Sequence, residues 1–421
     1  MIKEIAPGGP VRGRVRVPGS KSYTNRALIC AALAQGASTL LNASDSNDSE
    51  RMGIGLNQLG VLVRPSGNGT LVEGTGGRLD APKFPIKVGN AGTTFRFLLS
   101  LATLAKGTVV LEGSERMGQR PVDDLLRGIE SLGGVVKAFP EQVRFEVQGG
   151  SLAGGHVVLR ADKSSQFLSS LLMVAPYAAK DVRIDIEGEV SSASYLAMTL
   201  EVMGAFGVEV ERPGEGTLCV RAGRRYRPTD YAVETDASGA TYPFGAAAVT
   251  GGEVVVEGLS GASGQGDIGF LDVLKHMGCT VESVAGGVKV CGARKLKGVD
   301  VDMNSMPDAV PTVAVLALFA ESPSRIRNVG HLQYKESDRL RAIAGELEKL
   351  GARIELLDDG IAVTPAPLKG ALLDTFDDHR LVMSFSLIGL RVPGVRIENP
   401  ECVRKSFPGY WDEFAKLRAG I

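Results

Sequence analysis

Residues 89–113 read GNAGTTFRFLLSLATLAKGTVVLEG and contain a polar start, an apolar helix, a glycine turn and a short strand. The segment FRFLLSLATLA is apolar on nearly all sides, which is typical of a helix buried in a protein interior. Gly107 then offers the positive φ that the end of a helix requires before the strand begins. This order of elements decides the fold, because it recurs along the chain.

The same order of elements occurs six times, at intervals of about 70 residues. The turns that end the six apolar helices lie at Gly36, Gly107, Lys180, Gly252, Pro323 and Pro393. The short apolar strands that follow them are residues 39–41, 109–111, 182–184, 254–256, 325–327 and 395–397. In the first five copies a second, amphipathic helix ends at a Leu-Gly or Met-Gly pair, at Gly60, Gly133, Gly204, Gly278 and Gly351. A further strand follows each of these pairs.

Units of this length are too long for solenoid repeats, which run roughly 20–50 residues. Apolar helices with strands around them indicate an α/β fold with helices inside and sheets outside, and three units per domain give two domains of ordinary size. The sixth unit ends in the helix WDEFAKLRAGI without a following strand. We expect an N-terminal strand within residues 2–17 to complete that unit. Residues 1–18 and 231–421 are therefore predicted to form one domain, and residues 19–230 the other.

The composition favours a cytoplasmic globular protein with small-molecule ligands. The 421 residues carry a net charge of −1, which argues against nucleic acid or an anionic membrane as a partner. The sequence has no signal-peptide pattern and no apolar run of the ~20 residues that span a bilayer. The scattered cysteines Cys30, Cys219, Cys279, Cys291 and Cys402 indicate neither a disulfide framework nor a zinc site.

Each apolar helix begins with a polar segment. The six segments are GSKSYTNR (19–26), GNAGTTFR (89–96), DKSSQFL (162–168), DASGATY (236–242), MPDAVPT (306–312) and FDDHRLV (376–382). Helix capping explains any single one of them, because Ser, Thr, Asn and Asp accept from free N–H groups. Capping does not require the basic residues Lys21, Arg26 and Arg380 at helices that are otherwise apolar. Helix N-termini also bind anions, which is the second interpretation.

Basic residues recur at equivalent ends of the repeats. The full set is Lys21, Arg26, Arg120, Lys335, Arg339, Arg380 and Lys405. A lone Lys or Arg is most often a solvated surface charge. Seven of them at equivalent positions in a nearly neutral chain predict a small substrate with several negative charges, since guanidinium groups match carboxylate and phosphate well.

Two acidic residues are candidates for acid–base chemistry. Asp308 precedes an apolar helix, where partial burial could tune it as a base. Glu336 lies between Lys335 and Arg339. The carboxylates that we interpret as caps or ion-pair partners are Asp236, Asp267 and Asp378. Neither a dinucleotide-binding fingerprint nor a P-loop is present in the sequence.

Eight segments in chain order resemble the 5-enolpyruvylshikimate-3-phosphate (EPSP) synthase family. They are PGSKSYTNRAL (18–28), GNAGTTFR (89–96), ERMGQRPVDDL (115–125), SSQFLSSLLM (164–173), MPDAVPT (306–312), YKESDRL (334–340), DDHRLVMSFS (377–386) and RKSFPGYW (404–411). The resemblance implies a two-domain inside-out α/β barrel of six βαβαββ units. It also implies transfer of the enolpyruvyl group of phosphoenolpyruvate to the 5-hydroxyl of shikimate 3-phosphate, in a cleft between the domains and without a cofactor or metal.

The resemblance assigns roles to residues. Lys21, Asp308 and Glu336 are the implied catalytic residues. The implied shikimate 3-phosphate ligands are Lys21, Ser22, Arg26, Ser164, Ser165, Gln166, Ser192, Tyr195, Asp308 and Lys335. The implied phosphoenolpyruvate ligands are Lys21, Gly92, Arg120, Gln166, Arg339, Arg380 and Lys405, with Asn90, Thr93 and His379 in support. The implied reaction is an addition–elimination by a cytoplasmic monomer.

Two other functions remain as alternatives. UDP-N-acetylglucosamine enolpyruvyl transferases share the fold but usually have a cysteine where this chain has Glu115, and no cysteine lies between Cys30 and Cys219. An inactive binding protein of the same fold would be expected to lose some of the catalytic residues. The chain departs from the usual family pattern at Phe97, His331, Gln333 and Tyr334, so ligand contacts near residue 331 stay open.

Overall fold

The computed structural model describes residues 1–67, 69–150 and 152–420. The chain divides into two compact units. Unit 1 consists of Met1–Ser20 and Glu234–Ile421, and unit 2 of Lys21–Val233. Each unit has a hydrophobic core of its own.

The strands of the described residues are short, as expected for repeats of this length. In chain order they are β1 (Ile2–Ile5), β2 (Arg12–Arg16), β3 (Gln35–Leu41), β4 (Leu62–Ser66), β5 (Gly69–Thr75), β6 (Leu79–Asp80), β7 (Ile86–Gly89), β8 (Ala105–Lys106), β9 (Thr108–Gly113), β10 (Val135–Phe139), β11 (Arg144–Gln148), β12 (Gly155–Arg160), β13 (Val182–Glu187), β14 (Glu211–Gly214), β15 (Thr217–Val220), β16 (Tyr231–Ala232), β17 (Glu253–Glu257), β18 (Thr280–Val284), β19 (Gly287–Cys291), β20 (Asp300–Asp302), β21 (Ser324–Arg327), β22 (Arg353–Leu357), β23 (Gly360–Thr364), β24 (Leu372–Leu373) and β25 (Val395–Glu398).

Apart from the short helix α4, the α-helices before α13 alternate between buried inner helices and helices that are exposed on one side. They are α1 (Lys21–Leu33), α2 (Asn47–Gln58), α3 (Gly92–Ala102), α4 (Glu115–Gly118), α5 (Asp123–Ser131), α6 (Gln166–Val174), α7 (Ala193–Ala205), α8 (Ala237–Thr250), α9 (Phe270–His276), α10 (Val310–Ala317), α11 (Arg339–Lys349), α12 (His379–Gly389) and α13 (Tyr410–Ala419). The helix expected at the C-terminus is α13, and its last expected residue, Ile421, lies outside the described residues. Among the described helices, none is both long and apolar enough to cross a membrane.

The apolar helices predicted from the repeats lie inside, which confirms the inside-out arrangement. They are α1, α3 and α6 in unit 2, and α8, α10 and α12 in unit 1. Every residue of α10 and α12 is buried. Small side chains allow these helices to approach closely, and their few hydroxyl groups bond to one another, as between Thr312 Oγ1 and Ser384 Oγ at 3.1 Å. This hydrogen bond satisfies two buried hydroxyl groups inside the core.

Each repeat forms a sheet with the same strand order. In one of them β7 pairs with β9 in parallel, β9 with β11 antiparallel, and β11 with β10 antiparallel. Among the described residues, four other sheets of four strands have this order, and the sixth repeat forms the three-stranded sheet β24–β25–β1. Strands β6 and β8 pair in a separate two-stranded sheet. Strand β1 pairs antiparallel with β25, Ile2 opposite Glu398. The prediction that an N-terminal strand completes the sixth repeat is confirmed for β1.

The segments that connect the two units also supply strands. In unit 1, β2 pairs in parallel with β17, and in unit 2, β16 pairs in parallel with β3. Each therefore takes the place of the first strand in a repeat, the place that β7 takes beside β9.

One predicted turn is wrong. Gly204 lies inside α7, which continues to Ala205, and the residue with positive φ is Gly207, at +87°. In the other copies the glycine with positive φ directly follows a buried hydrophobic residue, such as Leu59 before Gly60. Phe206 is the corresponding buried residue here. The Met-Gly pair looked equivalent in sequence, but burial of Phe206 sets where the helix ends.

Candidate active site

The predicted site residues lie mostly at the N-terminal ends of inner helices and in the loops beside them, in both units. We call the group in unit 2 the Lys21 cluster (Lys21, Asp48, Gly92, Arg120, Gln166). We call the group in unit 1 the Asp308 cluster (Asp308, Glu336, Arg339, Asp378, Arg380).

Lys21 is the first residue of α1, and its Nζ lies 3.0 Å from Asp48 Oδ2. The two side chains are 12% and 4% exposed, so water screens this ion pair only in part. Asp48 sits in the first turn of α2, where its own carbonyl accepts from Thr94 Oγ1 at 2.9 Å. The ammonium group is thus fixed at the start of an inner helix.

Gln166 is held at the start of α6 from both ends of its amide. Its Oε1 accepts from Arg96 Nη1 at 2.7 Å, and its Nε2 donates to Thr93 Oγ1 at 3.1 Å. Arg96 also donates to the carbonyl of Pro121 at 2.8 Å. Sequence reasoning missed Arg96, although an arginine in an otherwise apolar helix was the available signal. It orients Gln166 and is a positioning residue.

Arg120 is 5% exposed and lies against the start of α3, where its Nη1 donates to the carbonyl of Asn90 at 3.4 Å. A Cβ on Gly92 would be 2.6 Å from Arg120 Cζ. That distance is shorter than any real contact of such atoms. The missing side chain of Gly92 therefore leaves the space that the guanidinium group occupies.

Arg26 is 1% exposed, and its donors are largely engaged inside unit 2. Its Nε donates to Thr199 Oγ1 at 2.7 Å, and its two Nη atoms donate to the carbonyls of Ser22 and Tyr195 at 2.9 and 3.0 Å. Burial lowers the pKa of Arg26 to about 10. The ring of Phe97, one of the departures from the family pattern, lies 5.5 Å from the guanidinium. Arg26 thus holds the backbone at two other predicted ligands, while direct contact with substrate stays a prediction.

Three predicted serines lie beside the starts of α6 and α7. Ser164 Oγ accepts from the Gln166 amide at 3.3 Å, and Ser165 is buried one residue before α6. Ser192, directly before α7, has a φ of +58°. A non-glycine residue in this region is strained, and such residues often occur at ligand sites. Helix starts with free N–H groups and hydroxyl donors suit a phosphate group.

In unit 1, Asp308 lies between two arginines. It belongs to the 3₁₀ turn Pro307–Ala309, just before α10. Its Oδ1 accepts from Arg339 Nη1 and its Oδ2 from Arg380 Nη2, both at 2.7 Å. The side chain is 18% exposed. Each carboxylate oxygen therefore faces one guanidinium group, and one edge of the carboxylate remains accessible.

Arg339 is 1% exposed and bonds to three carboxylates. Besides Asp308 it donates to Glu336 Oε2 at 2.9 Å and to Asp378 Oδ2 at 2.8 Å. Burial alone would lower the pKa of Arg339, but Asp378, Asp308 and Glu336 raise it above its ordinary value. Arg339 is therefore a permanent cation, and its charge is balanced by carboxylates of its own unit.

Arg380 lies at the start of α12, where its Nη1 donates to the Tyr242 hydroxyl at 3.1 Å. Burial alone would lower the pKa of Arg380. Nearby groups, and Asp308 most strongly, raise this pKa above its ordinary value. Asp378 accepts from the Arg380 amide at 3.0 Å, and Asp236 accepts from the Gly239 amide at 3.0 Å. The cap interpretation of these two aspartates is confirmed, and Asp378 is an ion-pair partner as well.

The remaining predicted residues of unit 1 are Lys335, Lys405 and His379, which lie at the end of a short turn or at the start of a helix. Lys335 follows the 3₁₀ turn Gly330–Tyr334 and is half-buried, as is Lys405 at the end of the turn Pro400–Lys405. His379 is 1% exposed, with Nδ1 3.7 Å from Asp378 Oδ1. Burial, assisted by Lys335, lowers the pKa of His331 to about 3, so this imidazole is neutral at ordinary pH. Within the described residues, no group of three or more His, Cys, Asp or Glu side chains could hold a metal ion.

Sequence comparisons agree with the motifs. A sequence model of the family described as EPSP synthase (3-phosphoshikimate 1-carboxyvinyltransferase) matches residues 5–414. The chain is 43% identical over 412 residues to a 3-phosphoshikimate 1-carboxyvinyltransferase of Nostoc sp., covering 97% of both chains. It is 45% identical over 415 residues to the enzyme of that name from Methanoculleus marisnigri, covering 98% of both.

Solved structures share the fold. EPSP synthase from Acinetobacter baumannii superposes with a TM-score of 0.81 at 25% identity, covering 99% of this chain and 98% of the other. The enolpyruvyl transferase NikO from Streptomyces tendae gives a TM-score of 0.81 at 20% identity, with coverage of 99% and 97%. The second likeness bears on the fold alone.

Proposed function

Because this chain belongs to the EPSP synthase family, we propose that it transfers the enolpyruvyl group of phosphoenolpyruvate to the 5-hydroxyl of shikimate 3-phosphate and releases phosphate. The observation that carries this proposal is Asp308, a partly exposed carboxylate held by Arg339 and Arg380 at 2.7 Å each. This arrangement places a base directly beside two cations that suit an anionic substrate.

We propose that both clusters act on one pair of substrates, so that the two units are the two domains of the enzyme. The predicted domain crossings, at residues 18–19 and 230–231, lie within three residues of the unit boundaries at 20–21 and 233–234. The serines beside α6 and α7 would bind the phosphate of shikimate 3-phosphate. Arg120 would bind phosphoenolpyruvate together with the cations of unit 1. The three repeats of either unit carry only some of the side chains that the two substrates and the reaction require.

The chemistry is an addition followed by an elimination. Glu336 in its protonated form gives a proton to the methylene carbon of phosphoenolpyruvate, and the 5-hydroxyl attacks C2 while Asp308 accepts its proton. The bond from C2 to the bridging phosphate oxygen then breaks, with Lys21 stabilising the charge on that oxygen. Phosphate leaves and takes up the proton held by Asp308, Glu336 takes a proton back from the methyl group, and the enol ether forms. Fixed cations around the intermediate stabilise the charge that develops.

The internal ion pairs affect this scheme. Arg339 and Arg380 already bond to Asp308, so an anionic substrate must share or replace those hydrogen bonds. A carboxylate that loses a cationic partner has a higher proton affinity. Binding of phosphoenolpyruvate at these arginines would therefore make Asp308 a stronger base only when substrate is present.

Phosphate release tests the proposed function. The purified protein is incubated with phosphoenolpyruvate and either shikimate 3-phosphate or UDP-N-acetylglucosamine, and released phosphate is measured with time. The expected result is that phosphate is released when the acceptor is shikimate 3-phosphate and is not released when it is UDP-N-acetylglucosamine. Release with the nucleotide sugar would support the sister activity, and no release with either acceptor would support a binding protein. An Asp308→Asn variant controls for contaminating phosphatase.

A further inference from the structure

Asp267 is a buried carboxyl group beside the Asp308 cluster that the proposed mechanism does not use. It lies in the 3₁₀ turn Gly266–Gly269 and is 4% exposed. Ser238 Oγ, at the start of α8, donates to its Oδ2 at 2.7 Å. The turn packs against both α8 and the turn Pro307–Ala309, which carries Asp308. Asp267 therefore adjoins the segment that carries the proposed base.

The charged groups around Asp267 come from three elements. Asp236 caps α8, Arg380 lies in the first turn of α12, and Asp308 lies in the turn Pro307–Ala309. Arg380 donates to Asp308 at 2.7 Å and to Tyr242 at 3.1 Å. A third carboxylate beside Asp308 and Asp236 would add negative charge at a place where two are already present. Buried like charges cannot all ionise easily.

The titration of Asp267 agrees with this geometry. Burial, and then the charge of Asp308, raise the pKa of Asp267 to about 7, while the Ser238 hydrogen bond acts in the opposite direction. The group is therefore protonated below neutrality and ionised above it. Its charge changes within the range in which an enzyme operates.

We propose that Asp267 is a positioning residue of the Asp308 cluster, neutral when the cluster binds phosphoenolpyruvate and a competitor of Asp308 for Arg380 when ionised. The inference rests on the proposed function. Ionised Asp267 attracts Arg380 away from Asp308 and repels an incoming anion. Affinity for phosphoenolpyruvate therefore falls as pH rises. The rate at which the acceptor hydroxyl reacts, kcat, changes less.

The test is the pH dependence of kcat and of KM for phosphoenolpyruvate, between pH 5.5 and 9, for the protein and for Asp267→Asn. In the unmodified protein KM rises roughly tenfold through an inflection near pH 7, as expected for a new like charge nearby. In Asp267→Asn the inflection disappears. Asp272→Asn, at an exposed position in α9, keeps the inflection and serves as control. Ser238→Ala removes a hydrogen bond to the carboxylate, so its inflection moves to higher pH.

Three results overturn the proposal. They are an unchanged inflection in Asp267→Asn, an unchanged inflection in Ser238→Ala, and loss of kcat in Asp267→Asn that Asp267→Glu restores. If the unmodified protein releases no phosphate, the proposed function has failed instead. Carbon-13 NMR of labelled aspartate, compared with Asp267→Asn, still measures whether this carboxyl titrates near pH 7. Circular dichroism of each variant establishes that it folds.

Discussion

Lys21 illustrates how one side chain is prepared for an anion at the residue scale. Asp48 holds its Nζ at 3.0 Å, and both side chains are mostly buried. A buried pair costs desolvation energy that a surface pair does not, so its presence at the start of α1 is hard to explain by stability alone. The pair does fix the position of a cation in a protein that has almost no net charge.

Replacing this cation should remove activity. Lys21→Ala is expected to lower kcat/KM at least ~10³-fold, because it removes both a ligand and stabilisation of the leaving phosphate. Steady-state phosphate release measures the loss. Lys137→Ala, at an exposed position of β10, is the control and should behave like the unmodified protein. Normal turnover by Lys21→Ala would exclude this residue from the mechanism.

Gly92→Ala tests the space beside Arg120. The new Cβ would lie 2.6 Å from Arg120 Cζ, so the guanidinium must move. A displacement of this size in a binding group costs up to roughly 10²-fold. We expect KM for phosphoenolpyruvate to rise about 10- to 100-fold, and KM for shikimate 3-phosphate to change little. Gly204→Ala, with nothing within 4 Å of the added Cβ, is the matched control. Equal rises in both KM values would contradict the assignment of Arg120.

His331 should make the protein sensitive to acid. Its pKa is about 3 in the folded chain, because of burial and Lys335, against an ordinary value of 6.5. The unfolded chain therefore binds the extra proton between these values, so stability is lost as pH falls from about 6.5 toward 3. Urea unfolding at several pH values gives the free energy of unfolding at each pH. Below about pH 6.5 this free energy should fall less steeply in His331→Asn than in the unmodified protein. If the free energy of unfolding fell just as steeply with decreasing pH in His331→Asn, the acid sensitivity would belong to other groups.

At the scale of the element, an inner helix needs close neighbours as well as apolar residues. A Cβ on Gly292, just after β19, would lie 2.1 Å from the carbonyl oxygen of Ala247 in α8. A Cβ on Gly74, in β5, would likewise lie 2.1 Å from the carbonyl oxygen of Ala31 in α1. These glycines allow the sheets to pack directly on the helix backbone.

Gly292→Ala should destabilise the fold without touching the proposed chemistry. The clash is with backbone, which cannot move aside easily, and overpacking of this kind costs about 1–3 kcal/mol. Thermal or urea unfolding measures it, with Gly345→Ala in α11 as control because its added Cβ meets nothing within 4 Å. Equal stability of the two variants would show that the sheet can shift away from α8.

At the scale of the whole molecule, repetition explains why so much could be predicted. Six copies of one pattern average out local ambiguity, so the buried helices, the strands after them and the inside-out arrangement follow from the sequence. Strand β1 was predicted as the partner of the sixth unit because that unit lacked a strand. The pairing of β2 with β17, and of β16 with β3, was not predicted, since no local pattern marks partners so distant in sequence.

The candidate site was less predictable in its details. Motifs identified which residues matter, but they could not tell that Arg339 bonds to three carboxylates or that Arg26 is enclosed by Thr199 and Tyr195. Such hydrogen bonds join segments far apart in the chain. The role of Arg96 was missed for this reason, because its partner Gln166 is 70 residues away.

The most direct test of the central claim follows deuterium in D₂O. The protein is incubated with phosphoenolpyruvate and shikimate 3-phosphate, and the methylene carbon of substrate and product is analysed by mass spectrometry. Addition followed by elimination predicts deuterium at that carbon only when shikimate 3-phosphate is present, with loss of the label in Glu336→Gln. Product formed without deuterium would contradict the proposed addition–elimination, as would exchange that needs no acceptor.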